Sequence, residues 1–220
     1  MICLVTDRRR LSAGPEAVDR LVDLAAAAVQ AGIDLIQVRE RDLDAGALAA
    51  LVSRCLAVAV GSRTRVLVND RADVAAAAGA DGVHLRGDSI AVPAVRTLLC
   101  PGAVIGRSVH SADDAGTASR IGGVDYLIFG TLYPTPSKEG GHRLATLDEL
   151  RAASRAALGV PVLAIGGITV QRAVELARAG AAGVAGIGLF VPPAGVPTDW
   201  HLQTVADQLR RSFDTCGVVT

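Results

Sequence analysis

The run Ile105-Gly106-Arg107-Ser108-Val109-His110-Ser111 reads as a strand that ends in polar residues. Alternation across a strand puts Ser108 and His110 on one face and Arg107 and Val109 on the other. A histidine at a strand's C-terminal end, just before a helix, suits proton transfer, because its ordinary pKa lies close to neutral. His110 and Ser108 are therefore the candidate catalytic pair. An unremarkable polar residue in a strand-to-helix loop would look the same, so the weight falls on the other strand ends.

Gln37, Arg39 and Arg41 alternate in the same way and can point to one side. Two guanidiniums and an amide make an anion-reading surface, since arginine grips phosphate or carboxylate with two parallel hydrogen bonds. Asn69-Asp70 ends a further strand and adds another amide. Gly166-Gly167 and Gly186-Ile187-Gly188 fit a phosphate cradle, in which backbone N–H groups approach the anion and a following helix N-terminus adds its dipole. The phosphate-binding candidates are Gly166, Gly167, Ile187 and Gly188. Lys138 is the sole lysine, placed after Thr135-Pro136-Ser137. A compact ammonium in a chain that otherwise uses arginine suggests a lid that brings charge over a bound anion, with Thr135 and Ser137 beside it.

The elements that must hold these residues alternate strand and helix throughout. Strands are expected at Ile2–Thr6, Leu35–Arg39, Arg65–Asn69, Gly82–Leu85, Val104–Val109, Tyr126–Gly130, Val162–Ile165 and Gly183–Ile187. Helices are expected at Pro15–Gly32, Ala45–Val60, Ala72–Ala78, Val92–Leu99, Ala112–Ile121, Leu147–Leu158, Val170–Ala179 and Trp200–Phe213. Eight such pairs in 220 residues point to one (β/α)₈ TIM-barrel domain spanning 1–220, with a doubly wound open sheet as the competitor. Repeated helix-Gly-strand joints at Ala31-Gly32-Ile33-Asp34, Gly79-Ala80-Asp81-Gly82 and Ala179-Gly180-Ala181-Ala182-Gly183 favour the barrel. The one long insertion, about 131–145, reads as an active-site flap. In a barrel the chemistry sits at the C-terminal strand ends, where the polar residues named above gather.

Composition sets the limits. Hydrophobic residues make up 50% of the chain and charged residues 20%, which is globular. A formal net charge of zero argues against nucleic acid or a polybasic membrane surface as partner. The four cysteines, Cys3, Cys55, Cys100 and Cys216, show no CxxC pairing and read as small core residues in a reducing compartment. No HxH or HExxH spacing suggests a transition metal, and His84, His142 and His201 are weaker candidates than His110. With no signal peptide and no run of about 18 apolar residues, a cytoplasmic enzyme is expected.

Taken together, the residues resemble the thiamin phosphate synthase superfamily. The marks are Gln37-Val38-Arg39-Glu40-Arg41, Val68-Asn69-Asp70-Arg71, Ala80-Asp81-Gly82-Val83-His84-Leu85, Tyr133-Pro134-Thr135-Pro136-Ser137-Lys138 and Ala164-Ile165-Gly166-Gly167-Ile168. The resemblance implies a (β/α)₈ barrel acting on thiamin precursors, and it has two branches. The synthase branch joins a pyrimidine pyrophosphate to a thiazole phosphate using magnesium. It implies Asp70 as one metal ligand, but Ser89 stands where the second aspartate belongs, Asp88 comes one residue early, and Arg41 replaces a lysine. The TenI-like thiazole tautomerase branch resembles this chain at Arg39-Glu40-Arg41, at Gly106-Arg107-Ser108-Val109-His110-Ser111 and at Tyr126-Leu127-Ile128-Phe129-Gly130. On these marks the sequence is read as a tautomerase: an isomerase that aromatises a carboxythiazole ethyl phosphate. His110 would move the proton, Arg39 and Arg41 would hold the carboxylate, and no cofactor would be needed. The synthase, with Asp70 and magnesium, is the alternative, and a non-catalytic sensor of a phosphorylated ligand is a second. The implied partner is a small phosphorylated thiazole, and a homo-oligomer stays open.

Overall fold

A computed structural model describes residues 1–135 and 143–216. Eight parallel strands close into a barrel in sequence order, with the first strand paired to the last. The strands are β1 (Ile2–Val5), β2 (Leu35–Val38), β3 (Arg65–Asn69), β4 (Gly82–Leu85), β5 (Val104–Val109), β6 (Tyr126–Gly130), β7 (Val162–Ile165) and β8 (Gly183–Gly186). Around them run α1 (Ala17–Gln30), α2 (Ala45–Ala59), α3 (Ala72–Ala78), α4 (Val92–Leu98), α5 (Ala112–Ile121), α6 (Leu147–Ala156), α7 (Ala173–Arg178) and α8 (Thr198–Cys216). The expected TIM barrel is the one observed, and the open sheet is not.

Two boundaries differ from the sequence reading in a way that touches the site. The helix expected over 170–179 begins as a 3₁₀ turn, Val170–Arg172, and only then becomes the short α7. β8 stops at Gly186, one residue short of the expected end at Ile187, and another 3₁₀ turn, Gly188–Phe190, follows. Short 3₁₀ turns are common at such junctions, where one tight turn reorients the chain.

Strand alternation sorts the apolar residues into two cores. Cys3, Val5, Leu35, Leu67, Tyr126, Ile128, Leu163 and Ala185 fill the barrel interior. Ile36, Val66, Val68, Val83, Ile105, Leu127 and Val184 face outward and pack with Leu21, Leu51, Val95 and Leu176 of the helices. Gly106 lets Tyr126 enter the interior: a Cβ there would lie 2.1 Å from a carbon of the Tyr126 ring. One large aromatic thus fills the space that two side chains would share.

The recurring joints have a second role. Asp34, just before β2, accepts the Ile2 N–H of β1 at 2.6 Å. Asp81, before β4, accepts the Val66 N–H of β3 at 2.8 Å, and Asp125, before β6, accepts the Ile105 N–H of β5 at 2.7 Å. Each carboxylate closes an otherwise open N–H at the base of the preceding strand. The base of the barrel is therefore tied shut, and the polar residues with freedom to bind lie at the opposite rim.

Cys3 and Cys55 are buried, as expected, and burial pushes both thiols up to about 12. Cys100 is exposed, because it lies in the loop after α4 and not on an inward strand face. His201 is half-buried, with Nε2 3.1 Å from the Leu189 carbonyl.

Candidate active site

The C-terminal rim surrounds a cavity of about 1300 Å³. Among the residues lining it are Gln37, Arg39, Arg41, Asn69, Ser108, His110, Thr135, Gly166, Gly167, Ile187 and Gly188. These are eleven of the residues singled out from sequence. Ser137 and Lys138 lie outside the described residues. Asp70 is not among the lining groups.

The floor is a buried polar chain. Gln37 donates through Nε2 to Asn69 Oδ1 at 3.0 Å. His84 sits between two hydroxyls, Nδ1 3.0 Å from Tyr126 and Nε2 2.9 Å from Ser108. A neutral imidazole has one donor and one acceptor, and two hydroxyls can complement either tautomer. Burial pushes His84 down to about 3, so it stays uncharged at neutral pH. Ser108 is therefore committed to the barrel interior as well as exposed to the cavity.

The rest of the Ser-Val-His-Ser phrase also has a local structural purpose. Ser111 caps α5, its side chain accepting the Asp114 N–H at 3.0 Å, while Asp114 accepts the His110 N–H at 3.1 Å. The pair satisfies one open N–H of the first helical turn and the N–H of the residue before the cap. The His110 ring donates from Nδ1 to the Gly130 carbonyl at 2.8 Å, which ties the ring to the end of β6. The phrase thus builds a strand-to-helix joint, and this explains why it does not separate one chemistry from another.

Arg39 and Arg41 are available to a ligand. The nearby acid, Glu40, is buried and already used: it accepts from Thr6 Oγ1 at 2.6 Å and pairs with Arg8 at 2.9 Å. Thr6 in turn accepts the Arg39 N–H at 2.9 Å, fixing the backbone where the strand ends. Among the described residues neither Arg39 nor Arg41 forms an ion pair. Burial, then Arg41, lower the Arg39 pKa from its ordinary value, with Asp7 and Glu40 opposing them. Arginine remains charged through such a change, so a partly desolvated cation faces the cavity with no ion-pair partner among the described residues.

The sequence reading missed three further cavity arginines: Arg10, Arg86 and Arg107. Arg10 approaches Gly188, whose added Cβ would lie 3.4 Å from Arg10 Nη1. Arg107 donates from Nη2 to the Gly87 carbonyl at 2.7 Å. Arg86 pairs with Asp88 at 2.7 Å and lies 3.7 Å from Asp70. The Arg-Arg-Arg run at 8–10 was the available signal for the first.

The glycines after β7 are explained by more than anion approach. Gly167 has φ +60°, and a Cβ there would lie 2.5 Å from the Pro134 carbonyl oxygen. The loop after β6 runs directly against this turn, with the Leu132 and Tyr133 N–H groups donating to the Ile165 and Gly166 carbonyls at 3.0 and 3.1 Å. The loop's two described ends are tied by the Ala145 N–H donating to Thr131 at 2.8 Å.

The synthase resemblance implies magnesium at Asp70, where the neighbouring side chains are Ser89 and Arg86. Asp70 sits at the centre of a tight turn with φ +64°, its carboxylate accepting from the Ser89 hydroxyl and facing Arg86. Asp88, the next carboxylate, is taken by the same guanidinium. Among the described residues no three His, Cys, Asp or Glu side chains converge. Magnesium prefers carboxylate and phosphate oxygens in regular octahedral geometry. Ser89 stands where a second carboxylate would, and the one that remains, Asp70, is bonded to that hydroxyl and faces a guanidinium, which makes a poor set for that ion.

A closed parallel barrel with cationic side chains and glycine-rich turns on its C-terminal rim belongs to the class of barrels that bind phosphorylated small molecules there. Residues 2–190 match the family model described as thiamine monophosphate synthase, and the chain belongs to that family. It is 39% identical to the thiamine-phosphate synthase of Roseiflexus castenholzii over 191 residues, 87% of this chain and 81% of that protein. The thiamine-phosphate synthase of Anaeromyxobacter dehalogenans is 44% identical over 158 residues, 72% of this chain and 70% of that one. The solved thiamine phosphate pyrophosphorylase from Pyrococcus furiosus superposes with a TM-score of 0.79 at 26% identity, covering 98% of this chain and 96% of that one.

These relatives overturn the TenI-like tautomerase reading and with it the isomerase assignment. The physical source of the error is the phrase at Ser108–Ser111, whose residues cap a helix and brace the barrel. No described helix is long and apolar enough to cross a membrane.

Proposed function

We propose that this protein is a thiamine-phosphate synthase, a transferase that joins a pyrimidine pyrophosphate to a thiazole phosphate. The observation that carries this reading is the cavity of about 1300 Å³ with cationic groups on several sides. That space runs from the rim over Val92 of α4 and Thr117 and Ile121 of α5; it exceeds the roughly 300 to 1000 Å³ of a pocket for one small ligand and leaves room for two. The names of the relatives described above support the same reaction.

In the reaction, the carbon–oxygen bond to pyrophosphate breaks and its electron pair leaves with the pyrophosphate. The thiazole ring supplies the pair for the new bond to carbon. Gln37 and Asn69, already joined to each other, present amide groups to a substrate at the floor. Backbone N–H groups around Gly166, Gly167, Ile187 and Gly188 are assigned to the thiazole phosphate, beside Arg10. Arg39, Arg41 and Thr135, with Ser137 and Lys138 outside the described residues, are assigned to anionic groups at the mouth. His110 and Ser108 shape the wall and need not transfer a proton. The chemistry is chiefly positioning and charge neutralisation around a leaving anion. A cytoplasmic location agrees with the unpaired buried thiols Cys3 and Cys55.

The test is an assay of the purified protein with both substrates, following pyrophosphate release and the joined product by mass. Stoichiometric formation of both supports the reading. Failure to form the joined product under any divalent-ion condition would overturn it.

A further inference from the structure

The side chains that displace a metal site also offer an alternative to it. Arg86 leaves the end of β4, and its backbone N–H donates to Ser89 Oγ at 2.9 Å. Ser89 donates its own hydroxyl proton to Asp70. The Arg86 guanidinium lies over the other Asp70 oxygen at 3.7 Å. A hydroxyl and a guanidinium thus occupy the carboxylate that would otherwise be the strongest oxygen ligand. On the neighbouring strand, Arg107 is held to Gly87 of the same turn at 2.7 Å, so a second guanidinium faces the mouth between β4 and β5. Both line the cavity, and both are reached from the loop 85–89.

We propose that this rim binds the pyrophosphate group directly through Arg86 and Arg107, with no divalent cation. The proposal rests on the synthase reading for the identity of the anion. Guanidiniums suit such an anion: each offers a planar fork of donors to two phosphate oxygens, and together they bring two positive charges to the leaving group. Asp70 then acts as a positioning residue that orients Arg86 toward the cavity. The pairing of Arg86 with Asp88 is no obstacle, since Asp88 is 71% exposed and exposed ion pairs yield readily to a stronger anion.

The deciding experiment is calorimetric titration of inorganic pyrophosphate into the full chain, with excess chelator or with magnesium. The wild-type protein should bind equally well, within about threefold, under both conditions. Arg86→Gln should weaken binding in chelator by about tenfold or more, and Arg107→Gln should weaken it too. Arg86 is about half exposed, so its loss should leave the circular dichroism spectrum and melting temperature unchanged. The double change Arg86→Gly with Ser89→Asp removes the guanidinium and restores a second carboxylate; its binding should require magnesium. Wild-type binding seen only with magnesium, or an Arg86→Gln protein that binds as tightly as wild type, would overturn the proposal. Metal-free pyrophosphate binding without formation of the joined product would leave this site standing and remove the synthase reading. Product formed only when magnesium is added would do the reverse.

Discussion

The Arg172 guanidinium lies 3.7 Å from the centre of the Tyr133 ring, and the same arginine donates to the Gly167 carbonyl at 3.2 Å. The Tyr133 hydroxyl donates to Glu175 of α7. Burial first, and Glu175 next, push the phenol up to about 12, so it remains a donor at neutral pH. One aromatic ring therefore links the root of the loop after β6 to the turn assigned to phosphate.

This link makes a graded prediction. Tyr133→Phe keeps the cation–π contact and loses one partly exposed hydrogen bond, which should cost about 0.5–1 kcal/mol of stability. Tyr133→Ala frees both the loop and Arg172. It should raise the KM for the thiazole phosphate by more than it lowers kcat. Steady-state kinetics on the two variants separate the effects, and equal kinetics for Ala and Phe would remove the ring from substrate positioning.

Gly167 and Gly188 should respond differently to alanine. At Gly167 the left-handed backbone costs an alanine about 1–2 kcal/mol, before the contact with the Pro134 carbonyl is counted. Gly167→Ala should lower the melting temperature. At Gly188 the nearest atom is the flexible end of Arg10, so Gly188→Ala should fold normally and weaken phosphate binding. Melting curves and binding isotherms on both variants test this division. A stable Gly167→Ala protein would show that the loop gives way easily.

His84 predicts an acid sensitivity. Its pKa is near 6.5 in the unfolded chain and is pushed down to about 3 by burial in the fold. Below about pH 6.5 the unfolded chain takes up a proton that the folded chain refuses, so stability falls as pH falls toward 3. The slope contributed by this one residue approaches 1.4 kcal/mol per pH unit. Above pH 7 it contributes none. Denaturant unfolding at pH 7, 6, 5 and 4 should give a shallower acid slope for His84→Gln than for the wild-type protein.

His110→Asn tests whether His110 braces the strand end or takes part in the reaction. A general acid–base group typically contributes about 10²–10⁴-fold to rate. A residue that braces a strand end should contribute less than about tenfold. Pyrophosphate release by His110→Asn at a rate within tenfold of wild type is the expected result; a loss of a thousandfold would return His110 to the chemistry.

The barrel was readable because strand length, helix period and the Gly-to-strand joints all agree locally with one architecture. Even the Asp residues of those joints, Asp34 and Asp81, stand in the sequence where the base must be closed. The rim was only partly readable. Gln37, Asn69 and Arg39 follow from strand alternation. Arg107 does not, because it points outward on β5 and its long side chain reaches around the rim to Gly87. Arg86 and Arg10 escape for a similar reason: Arg86 lies just past the end of β4 and Arg10 ends a short 3₁₀ turn, Arg8–Arg10, so strand alternation dictates the direction of neither. The Ser108–Ser111 phrase misled because one short phrase can serve a helix cap, a barrel wall and a reaction, and only the contacts distinguish them.

The cavity's described cationic groups include Arg10, Arg39, Arg41, Arg86 and Arg107, all of one chemical type. A guanidinium keeps its proton across the whole range in which proteins stay folded. The attraction these five exert is therefore constant with pH, and what varies is the guest. A phosphate monoester passes from one negative charge to two near pH 6. Its affinity should rise through that point in step with its own ionisation. For these arginines the acid–base setting of recognition is carried by the arriving molecule, and the protein supplies a fixed reference against which that molecule's charge is read.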